Sequence, residues 1–76
     1  MTLTQTIGDT LHDKGYMPTE VGIAPKLNAI TIRAIGIEGL RNTLQSRGAN
    51  VTILGHFEVL CWHDDNNKIL KILEDL

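Results

Sequence analysis

Three residues with metal-ligand chemistry fall close together in the second half of the chain: His56, Cys61 and His63. Imidazole nitrogen and thiolate sulfur are donors that zinc and copper accept, and Asp64 stands next in line to complete a shell. Cys61 and His63 are two apart, so on a strand both side chains take one face. His56 falls in a Gly55-His56 turn, and at a rise of about 3.3 Å per residue it lies roughly 15 Å or more from His63. Structural zinc usually needs four converging ligands, so a metal-dependent sensor is the weaker expectation. The stronger one is a buried Cys61 acting as a small hydrophobe, with two solvated histidines. Read as a nucleophile, the same thiol needs an activated thiolate, a base within reach and donors for an oxyanion. His63 is near in sequence only, and no oxyanion donors are signalled. No catalytic residue and no cofactor is assigned, and the expected protein is not an enzyme.

Gly36-Ile37-Glu38-Gly39 joins a strand to a helix. Amides at such a start can hold an anion, which makes Gly36 and Gly39 candidates. The run lacks the third glycine of a dinucleotide fingerprint and the Lys-Ser/Thr of a P-loop. Glu38 would repel an anion, so backbone clearance is the simpler role. Arg33 near Trp62 on a sheet would resemble an RNA-stacking platform, but a single aromatic is thin support. Packing of Arg33 over Trp62 explains the pair as well.

The totals narrow the classes. Seven Lys and Arg stand against nine Asp and Glu, a net charge of −2, which opposes a nucleic-acid footprint. One cysteine excludes an internal disulfide and suits a reducing, cytoplasmic setting. Met1-Thr2-Leu3-Thr4-Gln5 carries no basic segment followed by an apolar run, so no signal peptide is expected. No apolar run approaches the roughly 18–20 residues of a membrane span. Asn50-Val51-Thr52 matches a glycosylation acceptor, a match read as accidental without a secretory route. Seventy-six residues allow one domain, 1–76. That length lies near the limit at which one core folds unaided, so a partner or self-association often completes the burial.

The elements that position these groups follow from periodicity. Leu3, Ile7 and Leu11 mark one edge of a helix over Thr4–Lys14, capped by Thr2 or Thr4 and stopped by Gly15. Thr19–Ala24 is a short, thin strand suited to a sheet edge and ended by Pro25. After a Lys26-Leu27-Asn28 turn, Ile30, Ile32 and Ala34 face the core, while Thr31, Arg33 and Ile35 face away. Ile37–Arg47 is a helix with Ile37, Leu40 and Leu44 inward, ending at Gly48. Asn50–Leu54 and Phe57–Trp62 form a hairpin. A two-residue turn at Gly55-His56 pairs Leu54 with Phe57 and Thr52 with Val59. A three-residue turn pairs Ile53 with Phe57 and Val51 with Val59, and it is favoured because Val51, Ile53, Phe57, Val59 and Cys61 then share one apolar face. Lys68–Leu76 is a last helix, with Asp65 or Asn66 at its cap and Ile69, Ile72, Leu73 and Leu76 on one side.

The order helix, strand, strand, helix, strand, strand, helix predicts a small α+β domain with a four-stranded, mainly antiparallel sheet. It resembles a split βαβ, or ferredoxin-like, arrangement or a permuted variant, with the Thr19 strand beside the Ile30 strand and the helices mainly on one face. The other face then carries Arg33, Ile35, Glu58, Leu60 and Trp62. Either the first helix crosses to cover it or another protein surface does. The second choice makes the chain a protein-binding or regulatory module, self-associating as a homodimer or acting as an inhibitor or accessory subunit. Arg33 and Glu58 would set specificity at the rim of that interface. An anion- or nucleic-acid-binding module and a metal sensor are the alternatives.

Overall fold

Thr2 opens the first helix through reciprocal bonds. The Gln5 N–H donates to Thr2 Oγ1 at 3.3 Å, and the Thr2 N–H donates to Gln5 Oε1 at 2.9 Å. This capping box satisfies amides that have no partner inside the helix. In the computed structural model, which describes residues 2–24 and 26–76, helix α1 spans Leu3–Asp13 and buries Ile7 and Leu11. It closes at Gly15, whose N–H reaches the His12 carbonyl oxygen at 3.1 Å, while the Tyr16 N–H reaches that of Leu11 at 3.0 Å. These are the paired bonds of a Schellman end. Strand β1 covers Pro18–Ala24. The expected stop at Pro25 lies outside the described residues.

Strand β2, Ala29–Ala34, returns antiparallel to β1 and sets Val21 opposite Ile32 and Ile23 opposite Ile30. The single helix expected over Ile37–Arg47 is instead two pieces. A tight 3-10 turn spans Ile37–Leu40, and helix α2 spans Arg41–Ser46. Gly39 weakens the α form here, and its N–H bonds the Gly36 carbonyl three residues back at 3.1 Å. A three-residue repeat keeps Ile37 and Leu40 on one side, so both are still buried, as is Leu44.

Strands β3, Asn50–Gly55, and β4, Glu58–Trp62, form the hairpin, and helix α3 spans Asn67–Glu74. The sheet order is β1-β2-β4-β3 with every neighbouring pair antiparallel, the order that the sequence predicts. Both predicted hairpin registers are corrected. Ile53 lies opposite Val59, Thr52 opposite Leu60 and Val51 opposite Cys61, with a bulge between Ile53 and Gly55. The turn falls at His56-Phe57, because Gly55 already pairs with Glu58, and Gly55 is not among the positive-φ glycines. Phe57 therefore leaves the strand and stands exposed, as does Ile53. The division of faces survives: Val51, Val59 and Cys61 are buried on one side, with Thr52, Glu58, Leu60 and Trp62 on the other.

All three helices cover the same side. Ile7 and Leu11 of α1, Leu44 of α2, and Ile69, Ile72 and Leu73 of α3 share one cluster with Ile30, Ile32, Val51, Val59 and Cys61 of the sheet. Full burial of each such side chain stabilises by about 1.5–3 kcal/mol. Among the described residues, no helix is long and apolar enough to cross a membrane.

Candidate interaction surface

Strand alternation decides what the uncovered face presents. Because Ile30, Ile32 and Ala34 turn inward, Thr31, Arg33 and Ile35 turn outward. The β2–β4 register sets Arg33 opposite Glu58 and Thr31 opposite Leu60. The adjoining β3–β4 register extends these rows to Thr52 opposite Leu60 and Asn50 opposite Trp62. Helix α1 does not cross to this side, so the chain's own helices leave the face open.

Two apolar depressions flank a charged centre on that face. One, of about 240 Å³, is lined by Leu27, Ala29, Leu60 and Trp62. The other, of about 220 Å³, is lined by Thr19, Arg33, Ala34, Ile35 and Phe57. Leu60 and Trp62 are half-buried, Ala29 is buried beneath them, and Leu27 and Ile35 are 64% and 58% exposed. Between the depressions Arg33 Nη2 meets Glu58 Oε2 at 3.1 Å. Arg33 therefore pairs with Glu58 rather than stacking on Trp62.

The sequence alone missed Leu27 and Phe57 as members of this surface. Leu27 was placed in a turn, where an apolar residue between Lys26 and Asn28 is itself a sign of contact. Phe57 was placed on the core face because the hairpin was closed too early.

The three metal-capable residues are separated. Cys61 points into the core, where its thiol donates to the Ile30 carbonyl oxygen at 3.6 Å, and burial pushes it up to about 12. His63 lies past the end of β4, and its Nδ1 accepts the Asp65 N–H at 3.1 Å. His56 is exposed at the hairpin tip, its ring 6.3 Å from that of Phe57. Among the described residues, no group of three His, Cys, Asp or Glu is placed to hold a metal ion. A thiol this protonated is also a poor nucleophile.

The anion site expected at Gly36 and Gly39 does not form either. Gly36 is left-handed at φ 79°, a turn requirement rather than a cradle. The Gly39 amide is spent on the Gly36 carbonyl, and the four-residue turn that follows brings Glu38 to the spot. No protein-family model, curated protein or solved structure matches the chain.

Proposed function

We propose that this chain is a small, non-enzymatic, cytoplasmic protein-binding or regulatory module that works through the open face of its sheet. It would act as an inhibitor or accessory subunit by occupying a surface of a larger protein. The observation that carries this reading is the helix-free face, where the Leu27–Trp62 and Ile35–Phe57 depressions bracket the Arg33–Glu58 pair. Apolar pockets around a central charge pair offer anchor sites and a register for a protein surface. The net charge of −2 and the neutralisation of Arg33 by Glu58 disfavour nucleic acid as the occupant.

The architecture is read as a permuted split βαβ. Strand β2, helix α2, strands β3 and β4 and helix α3 take the first five places of that pattern, and β1 fills the edge where the final strand would lie. The sheet order β1-β2-β4-β3 supports this.

The test places a photo-crosslinking residue at Thr31, at the centre of the face, in cells that make the protein. Discrete adducts that disappear with Trp62→Ala, while the variant keeps its fold, are the expected result. No specific adduct, together with a Trp62→Ala variant that unfolds as a core deletion would, overturns the reading.

A further inference from the structure

The two edges of the sheet are protected very differently. Edge strand β1 opens with Pro18, is bulged between Pro18 and Glu20, and carries Gly22 at its middle. Proline, bulges and charge are devices that keep an edge from pairing with another chain. Edge strand β3 is Asn50-Val51-Thr52-Ile53-Leu54-Gly55, with no proline and no charge, and β-branched residues at its centre.

The direction of its backbone groups follows from one bond. The Ala34 N–H donates to the Phe57 carbonyl oxygen at 2.8 Å across β2 and β4. Ladder bonds alternate along an antiparallel pair, so Val59 and Cys61 also bond toward β2, while Glu58, Leu60 and Trp62 bond toward β3. On β3 the partners of the last two, Thr52 and Asn50, face inward to β4. The N–H and C=O groups of Val51 and Ile53 therefore point out from the free edge. Gln45 of α2 confirms the direction from outside: its Nε2 donates to the Val51 carbonyl oxygen at 3.4 Å. That bond is long, and it covers one of the outward groups.

We infer that β3 pairs antiparallel with β3 of a second copy, joining two sheets into one of eight strands. With Thr52 opposite its own counterpart on the two-fold axis, Val51 of each copy lies opposite Ile53 of the other, and all four residues present N–H and C=O groups in the correct direction. A neutral strand meets no like charge when it pairs with itself, and Thr–Thr and Val–Ile are favourable cross-strand pairs. The exposed side chain of Ile53 gains cover, and Gln45 swings off Val51. The contact is small, so association falls at ~0.1–1 mM, the weak end of the affinity scale. This inference concerns the edge and stands apart from the open-face reading.

The test follows the intact chain by sedimentation equilibrium and by amide hydrogen exchange as its concentration rises. The expected result is growth in mass from 8.4 kDa toward twice that, with the Val51 and Ile53 amides slowing while the Thr52 amide, already bonded to β4, does not change. Ile53→Pro removes an N–H that no internal ladder bond uses, so it should keep the circular dichroism spectrum and abolish association. Should that variant fail to fold, the wild-type exchange pattern decides alone. A chain that stays monomeric, a dimer whose Val51 and Ile53 amides still exchange fast, or a dimer that survives in Ile53→Pro overturns the inference. A dimer lost in Trp62→Ala and kept in Ile53→Pro assigns the contact to the open face instead.

Discussion

Asn66 Nδ2 lies 2.9 Å from the Asn28 carbonyl oxygen, a bond that spans 38 residues. On its other side Asn66 Oδ1 accepts the His63 N–H at 3.1 Å. One side chain thus ties the β1–β2 turn, where Asn28 holds φ 47°, to the loop that leads into α3. The capping task expected of it passes to Asp65, whose Oδ1 accepts the Asn67 N–H at 3.0 Å.

Asn66→Asp separates these roles. The carboxylate keeps the acceptor for His63 and loses the donor to Asn28, facing a carbonyl oxygen instead. A lost bond together with an oxygen set against an oxygen should cost about 1–2 kcal/mol. Urea unfolding should show a lower midpoint at an unchanged slope, the mark of lost stability without a change in the surface exposed.

Two isoleucines test which side of the sheet is covered. Ile7 is 0% exposed beneath the helices, and Ile35 is 58% exposed on the open face. Ile7→Ala should cost about 2–5 kcal/mol, enough to leave a domain of this size barely folded. Ile35→Ala should stay within about 0.5 kcal/mol of wild type. Equal losses in thermal or urea unfolding would mean that something covers Ile35 after all.

The alternation of Ile30, Ile32 and Ala34 with Thr31, Arg33 and Ile35 was enough to assign both faces of β2, because a strand has only two. The 3.6-residue spacing likewise revealed Ile7 and Leu11, and Ile69, Ile72 and Leu73. What the pattern could not carry was position along the hairpin. A shift of two residues leaves every side chain on its face, so parity stayed correct while Ile53 moved from Phe57 to Val59 as its partner. The bulge that absorbs the difference has no signature in Ile53-Leu54-Gly55. The same limit hid the site: Phe57 was read as core because its register was wrong, and the separation of Cys61 from His63 depends on where β4 ends. The accessible surface of 4666 Å² is close to the ~4,600 Å² that a folded monomer of this mass exposes. The short chain therefore closes its core without help, and the apolar residues on the open face and the β3 edge are not a sign of incomplete folding.

Arg33 and Glu58 are opposite neighbours in the sheet, but their side chains are 53% and 32% exposed. Solvent at that exposure screens the pair, so a double-mutant cycle with Arg33→Ala and Glu58→Ala should return a coupling of no more than about 1 kcal/mol. The coupling should shrink further on adding salt. The larger effect is expected in association with a partner, where the pair would be desolvated and removal of one member leaves the other unpaired.

Cys61 supplies a pH signature of the core itself. Burial lifts its thiol from 9.0 to about 12. Below pH 9 the folded and unfolded chains both hold the proton, and the residue's contribution is fully present. Between pH 9 and about 12 the unfolded thiol ionises and the folded one does not, so the unfolded state is favoured progressively. Over that window stability should fall with a slope of up to about 1.4 kcal/mol per pH unit from this group. Lysines and Tyr16 titrate in the same range, so the measurement is the difference in slope between wild type and Cys61→Ala, each unfolded by urea from pH 8 upward. The Cys61→Ala variant should be less stable at pH 8 because of the space it leaves, yet lose less as the pH rises. In the folded wild type the thiol should also resist alkylation at pH 8 and react only as fast as the chain opens. Rapid labelling without unfolding would place the sulfur at the surface and remove Cys61 from beneath the helices.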